Sequence, residues 1–136
     1  MERIDSASNE KIKLACKIAA SSRKRREEKL FFLEGLRLCR DAVLTGAEIK
    51  YAFFSETALN KFPDECYLIS GSAQKNFIIS KNVENKLALT ETPQGFYCLC
   101  SIKSVENTFD YSKKYIALEN IPVSYTHLTL PTMAVV

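Results

Sequence analysis

The sequence predicts an α/β protein in which helices cover a central sheet, and three observations carry that prediction. Residues 30–33 (Leu-Phe-Phe-Leu) form a continuous apolar run that ends in Glu34-Gly35, after which apolar residues recur at helical spacing at Leu36, Cys39 and Val43. A buried strand that flows directly into an amphipathic helix is a unit of layered α/β architecture. Two further runs, residues 49–55 and residues 96–102, are rich in aromatic and apolar residues of high strand propensity. Finally, 136 residues with 46% hydrophobic and 26% charged content leave room for one soluble domain with a real core.

From the N-terminus, Ser6, Ser8 and Asn9 offer helix caps, and Ile12, Ala15, Cys16 and Ala19 then recur at helical spacing, predicting a helix over residues 9–22. Lys11, Lys13 and Lys17 fall off its apolar stripe. Residues 21–29 (Ser-Ser-Arg-Lys-Arg-Arg-Glu-Glu-Lys) read as a charged connection into the strand at Leu30. Gly35 takes the strand-helix turn, where a residue without a Cβ accepts positive φ, and Gly46 stops the helix that follows.

The run at 49–55 is a second buried strand, with Ile49, Tyr51 and Phe53 on one face and Ala52 and Phe54 on the other. Residues 57–62 suit a short helical turn closed by Pro63-Asp64, residues 66–70 read as a third strand, and Gly71-Ser72 opens a weak helix over residues 73–79. Ser80 caps another helix over residues 82–89. Residues 90–95 (Thr-Glu-Thr-Pro-Gln-Gly) form a turn, because Pro93 fixes its own φ and biases Thr92 away from helix, and the chain resumes as a strand at Phe96. Residues 104–110 are a polar connection, and residues 115–121 read as the first strand of a new parallel sheet.

Several classes are excluded. No apolar run approaches the roughly 18 to 20 residues of a membrane span, and the N-terminus has no signal-peptide core, so a cytoplasmic protein is expected. Five cysteines (Cys16, Cys39, Cys66, Cys98, Cys100) lack paired metal spacing, and an odd number suits a reduced compartment. Cys98 and Cys100 share one side of a strand and read as small core residues, so no metal site is expected.

The net charge of +3 is unevenly spread. Residues 1–29 carry nine Lys/Arg against five Asp/Glu, whereas residues 30–136 carry ten against eleven. Such asymmetry points to a polyanion met by the N-terminal segment. Dense Lys/Arg beside a helix neutralises nucleic-acid phosphates without reading sequence. The competing reading is a solvated helix end on which Glu27 and Glu28 pair the arginines locally; charge alone does not separate the two.

Phe32-Leu33-Glu34-Gly35 with Arg37, followed at the right distance by Thr90-x-Thr92-Pro93-Gln94-Gly95 and an apolar residue, resembles two signatures of the N-terminal substrate-binding domain of the SpoU/TrmH family of RNA 2′-O-ribose methyltransferases. The resemblance extends from about residue 6 to residue 121, where Glu119-Asn120-Ile121 is similar to the opening of the family's catalytic domain. It implies a small L30e/L7Ae-like α/β/α sandwich followed by the orphan first strand of a missing catalytic domain. It also implies RNA, expected to be ribosomal, as the partner, no membrane, and a homodimeric full-length parent. S-adenosylmethionine and the catalytic arginine belong to the second domain of that parent, so this chain is expected to hold no cofactor and no catalytic residue. The residues expected to bind RNA are Asn9, Lys11, Lys13, Arg23, Lys24, Arg25, Arg26 and Arg37, with Glu34 and Gln94 as interface or RNA contacts. Two other readings remain, a stand-alone L7Ae-like RNA-binding module and a docking or dimerisation domain with little RNA affinity.

After Pro122 the pattern breaks. Residues 123–132 are the translation of GTC TCT TAT ACA CAT CTG ACG CTG CCG ACG, a transposase-type sequencing adapter in one frame, and a short variable index accounts for residues 133–136. The expected organisation is therefore an RNA substrate-binding domain over residues 1–110, a linker and first strand of the truncated methyltransferase domain over residues 111–122, and a non-native tail over residues 123–136. His127, in that tail, is assigned no catalytic role.

Overall fold

The computed structural model describes residues 1–103 and 110–117, together with the backbone of a short strand at Ala134–Val135. The chain divides into two compact units, Met1–Lys103 and Ser104–Val136. In the first, β1 (Glu2–Ile4), β2 (Leu30–Glu34), β3 (Ile49–Ser55), β4 (Ala73–Ile79) and β5 (Phe96–Ser101) form one sheet in the order β1-β4-β3-β5-β2. β1, β4 and β3 are parallel neighbours, while β5 runs antiparallel to both β3 and β2. Strands β1 to β4 therefore all point the same way. The helices α3 (Leu36–Leu44), α4 (Glu56–Lys61) and α6 (Lys81–Leu87) each start where one of them ends.

Strand alternation splits the core into two faces. Phe54, Phe96, Cys98 and Cys100 pack with Cys39 and Ala42 of α3, Ala58 of α4, and Cys66 and Ile69 of α5 (Pro63–Ser72). Their neighbours Phe53 and Tyr97 pack on the other side with Phe77 and Ile79, Val83 and Leu87 of α6, and Ile12 and Ala15 of α1 (Glu10–Ala20). Ile18, Leu30 and Leu99 close the corner where α1 meets β2 and β5. The result is a three-layer α/β/α sandwich, the fold class expected. Phe53 and Phe77 stack with ring centroids 5.6 Å apart. Each such buried ring stabilises the fold by roughly 1.5–3 kcal/mol of transfer free energy. Four of the five cysteines are buried and all are free, in keeping with their reading as core residues.

Four expectations need correction. Residues 63–72 are a helix, not the end of a turn and a strand: Pro63 sits in its first turn, where the missing N–H costs nothing, and Cys66 and Ile69, three apart, supply its buried face. Residues 73–79 are strand β4, because Phe77 and Ile79 are buried at period two while Gln74 and Lys75 face solvent. The charged connection before Leu30 is a separate helix, α2 (Ser22–Glu28), capped by Ser21, whose Oγ accepts from the Lys24 amide at 3.2 Å. Ile49 does not share a face with Tyr51 and Phe53: a β-bulge between Ile49 and Tyr51 turns it into the α3/α5 core. Strand β1 was not expected at all.

In the second unit, β6 (Tyr115–Ile116) pairs in parallel with β7 (Ala134–Val135). The Asp110 carboxylate accepts from both the backbone and the hydroxyl of Ser112, at 3.0 and 2.6 Å, which holds it below the usual carboxylate range. Residues 118–121 of the expected strand, and residues 123–133 of the expected tail, lie outside the described residues.

Candidate nucleic-acid interface

The residues expected to meet RNA fall at two places, along α1 and α2 and at the C-terminal end of β2. Arg23 to Arg26 on α2 lie just before β2 starts at Leu30, and Glu34 precedes α3, so α2 and the second place are separated by the length of the strand, about 13 Å, four steps of roughly 3.3 Å.

At the first place, α1 and α2 form a bent pair. Asn9 is the N-cap of α1, its Oδ1 accepting from the Lys11 amide at 2.9 Å, so its role is to start the helix. The Lys11 ammonium lies 5.4 Å from the centre of the Phe77 ring, which draws it toward the core rather than outward. Arg25 donates from Nη1 to the carbonyls of Ile18 and Ala19, at 2.7 and 3.2 Å, and so caps the C-terminal end of α1. Arg23 donates to Glu27 at 2.9 Å one turn on, and Lys24 lies 3.5 and 3.8 Å from Glu28 and Glu27. Exposed pairs of this kind hold little energy and yield to a stronger anion. Lys13 and Arg26 are exposed and make no ion pair among the described residues.

Two concave surfaces join along this pair. One, of about 380 Å³, is lined by Lys17, Ala20, Ser21 and Lys24. The other, of about 270 Å³, is lined by Glu10, Lys13, Leu14, Lys17, Lys24 and Glu28. Lys17 belongs to both and is absent from the expected set. Its signal in the sequence is its spacing, four residues after Lys13 on the polar side of the same helix.

At the second place the two signature segments converge. The Glu34 carboxylate accepts from the Leu89 amide at 2.6 Å and the Thr90 hydroxyl at 2.7 Å, which fixes the loop between α6 and β5. From that loop, Gln94 Oε1 accepts from the Leu36 amide at 3.0 Å. Gly35, the N-cap position of α3, has φ +106 and no side chain, so Gln94 caps the helix from across the cleft. Gly95 has φ +88, and a Cβ there would lie 2.0 Å from Ser55 Oγ, the atom that caps α4 through the Ala58 amide. Glu34, Gly35, Thr90, Thr92 and Gln94 line an open cleft of about 330 Å³, with Arg37 exposed one residue into α3. Both signatures are thus accounted for locally by turn and cap geometry.

Elsewhere the described residues contain no group of His, Cys, Asp and Glu able to hold a metal. No helix among them is long and apolar enough to cross a membrane. Burial pushes the Cys66 thiol up to about 11 and the Cys100 thiol up to about 12, each reinforced by a neighbour, Glu65 and Cys98 respectively. Such thiols are poor nucleophiles.

Comparison with known proteins places this geometry. Residues 9–98 match the model of the MRM3-like substrate binding domain. Among curated proteins no match is found. An rRNA methyltransferase from Sinorhizobium meliloti superposes with a TM-score of 0.65 at 17% identity, over 85% of this chain and 44% of its own. An RNA 2′-O ribose methyltransferase gives 0.65 at 21% identity, over 88% and 46%. The SpoU methyltransferase AviRb from Streptomyces viridochromogenes gives 0.53 at 11%, over 71% and 34%. This chain spans less than half the length of these proteins, and at such identities the likeness establishes the fold. With two thirds of its residues matched by the family model, the chain belongs to the MRM3-like substrate binding domain family.

Proposed function

We propose that this chain is the RNA-holding part of an S-adenosylmethionine-dependent ribosomal-RNA 2′-O-ribose methyltransferase, and that it holds RNA by the phosphate backbone along α1 and α2. The observation that carries this reading is the cluster of Lys13 and Lys17, which have no ion pair among the described residues, with Lys24, whose exposed pairs are weak; Arg26, exposed elsewhere on α2, adds to the positive charge. Family membership and solved relatives titled as rRNA and RNA 2′-O ribose methyltransferases support it. Arg23 adds a phosphate contact at the rim, and Arg37 a separate one beside the cleft; Asn9, Arg25, Glu34 and Gln94 act by holding backbone in place.

The methyl donor is assigned to the full-length parent, as relatives with AdoMet bound suggest for the family. In this reading this chain's own residues are given no step in methyl transfer. In the same reading residues 111–122 begin the catalytic domain, residues 123–136 are adapter-encoded, and the cytoplasmic parent is a homodimer. A docking role has one observation in its favour: Leu38 and Leu44 on α3, and Tyr67 and Leu68 on the adjoining α5, are exposed.

The test is charge reversal at Arg23, Lys24 and Arg26 with ribosomal RNA as ligand. Loss of affinity and a shallower salt dependence are expected; unchanged affinity and slope reject the proposal.

A further inference from the structure

Helices α3 and α5 lie side by side on the face of the sheet opposite α1, and turn Cys39 and Ala42, and Cys66 and Ile69, into the core. With 3.6 residues per turn, the side of α3 away from these residues carries Arg37, Arg40, Asp41 and Leu44, and that of α5 carries Asp64, Tyr67, Leu68 and Gly71. Solvent sides of helices are ordinarily polar, yet Leu44 is 70% and Tyr67 83% exposed, with Leu38 and Leu68 at 50% and 41%. Large apolar side chains gathered on two adjoining helices mark a contact surface. The two stripes are also in step. α3 leads to Ile49 and α5 to Ala73, and these are register partners in the parallel strands β3 and β4, so both helices run the same way and finish near one level. Seven residues before Leu44 and Gly71, about 10.5 Å back along each axis, Arg37 and Asp64 are level as well.

We infer that the outer side of α3 and α5 seats a second copy of this chain, with α3 of each copy laid along α5 of the other. A two-fold axis parallel to the helices and midway between them makes that exchange and keeps the levels matched. It sets Arg37 against the partner's Asp64, Arg40 over the ring of the partner's Tyr67, and Leu44 into the space beside the partner's Gly71, where nothing lies within 4 Å of an added Cβ. Charge selects a second copy as the occupant. The α3 stripe is net positive, Arg37 and Arg40 against Asp41, the α5 stripe carries Asp64, and among the described residues Arg37, Arg40 and Asp64 make no ion pair. Each stripe lacks the charge that the other offers, and a two-fold partner brings both in register. The inference gives an occupant to the exposed residues noted above and is independent of the RNA reading, since α1 packs on the opposite face of the sheet and stays uncovered in the pair.

The experiment follows the mass of the full chain by sedimentation velocity across a concentration series at low salt. A face two helices wide is at the small end of specific interfaces, so the pair is reversible, and the mass rises with concentration from 15.4 kDa toward twice that value. Arg37→Glu and Asp64→Arg each weaken association about tenfold, because each ion pair occurs twice in a two-fold dimer. The double variant, which restores opposite charges, recovers it. Gly71→Gln fills the seat of Leu44 and leaves the chain monomeric, while its unfolding midpoint is no lower than that of the wild type, since the added side chain meets nothing within one copy. A wild-type chain that stays monomeric throughout the series, Gly71→Gln associating like the wild type, or a double variant as weak as the single ones overturns the inference. RNA binding, measured on the same samples, stands or falls separately.

Discussion

Replacing Gly95 by alanine tests whether the second signature segment is built by backbone geometry. Gly95 has φ +88, where an alanine is disfavoured by about 1–2 kcal/mol. Its new Cβ would lie 2.0 Å from Ser55 Oγ and 3.0 Å from both Ser55 Cβ and Ala58 Cβ. Ser55 is itself buried, its amide donates to the Gly95 carbonyl at 3.0 Å, and its Oγ caps α4, so it has little room to move. Overpacking of this kind costs typically 1–3 kcal/mol, and displacing the cap adds about 1. A loss of about 3–6 kcal/mol is predicted, a large share of the roughly 5–15 kcal/mol that holds a domain together. It should lower the thermal midpoint by at least about 12 °C. Gly46→Ala is the control, since φ is +74 there but nothing lies within 4 Å of the added Cβ, leaving only the backbone term. Denaturant and thermal unfolding of both variants decide the matter. If Gly95→Ala is no more destabilised than Gly46→Ala, the argument from close approach is wrong.

Gln94→Ala removes the side-chain acceptor at the start of α3 and should destabilise by about 1 kcal/mol, while Gln94→Glu, which keeps an acceptor and adds a favourable charge at a helix N-terminus, should not; equal losses in equilibrium unfolding would refute the cap. Arg25→Gln should release α2, seen as faster amide exchange across residues 22–28 and weaker RNA binding with the sheet amides unchanged. For Cys66 and Cys100 the folded pKa lies above the unfolded value of 9.0, so the unfolded chain loses those protons first as pH rises. Stability should therefore be flat in this respect below about pH 9 and fall toward pH 11, a trend that Cys66→Ala or Cys100→Ala should flatten in pH-dependent unfolding. In alkylation followed by mass spectrometry, Cys16, the one half-buried cysteine, should react before the four buried ones.

Where burial alone set the pattern, the sequence was readable. Residues 30–44, with a full apolar run, a Gly turn and helical spacing, emerged as β2 and α3 with their boundaries intact, although the strand expected to be buried lies at the sheet edge with only Leu30 fully buried. The Ser80 cap and the strand after Gly95 were likewise visible, because each carries a local chemical marker. Residues 63–79 were exchanged, helix for strand, since Pro63 marks the start of a helix as readily as the end of one, and Gln74, Lys75 and Asn76 mask the period-two burial of Phe77 and Ile79. Helix α2 has no apolar stripe to detect, and β1 has only Ile4 buried. At the candidate interface the residue types were legible and the assignments were not. The Asn9 cap is local and was among the caps the sequence offered, whereas that Arg25 caps α1, and that Lys17 and Lys24 line the same surfaces, depends on how α1 and α2 meet.

Lysine acetylation footprinting of the full chain, with and without excess ribosomal RNA, tests the central claim most directly. The account predicts protection of Lys13, Lys17 and Lys24, with Lys61 and Lys75, exposed on α4 and β4, labelled as before. Protection confined to lysines away from α1 and α2, or no protection at saturating RNA, would contradict it.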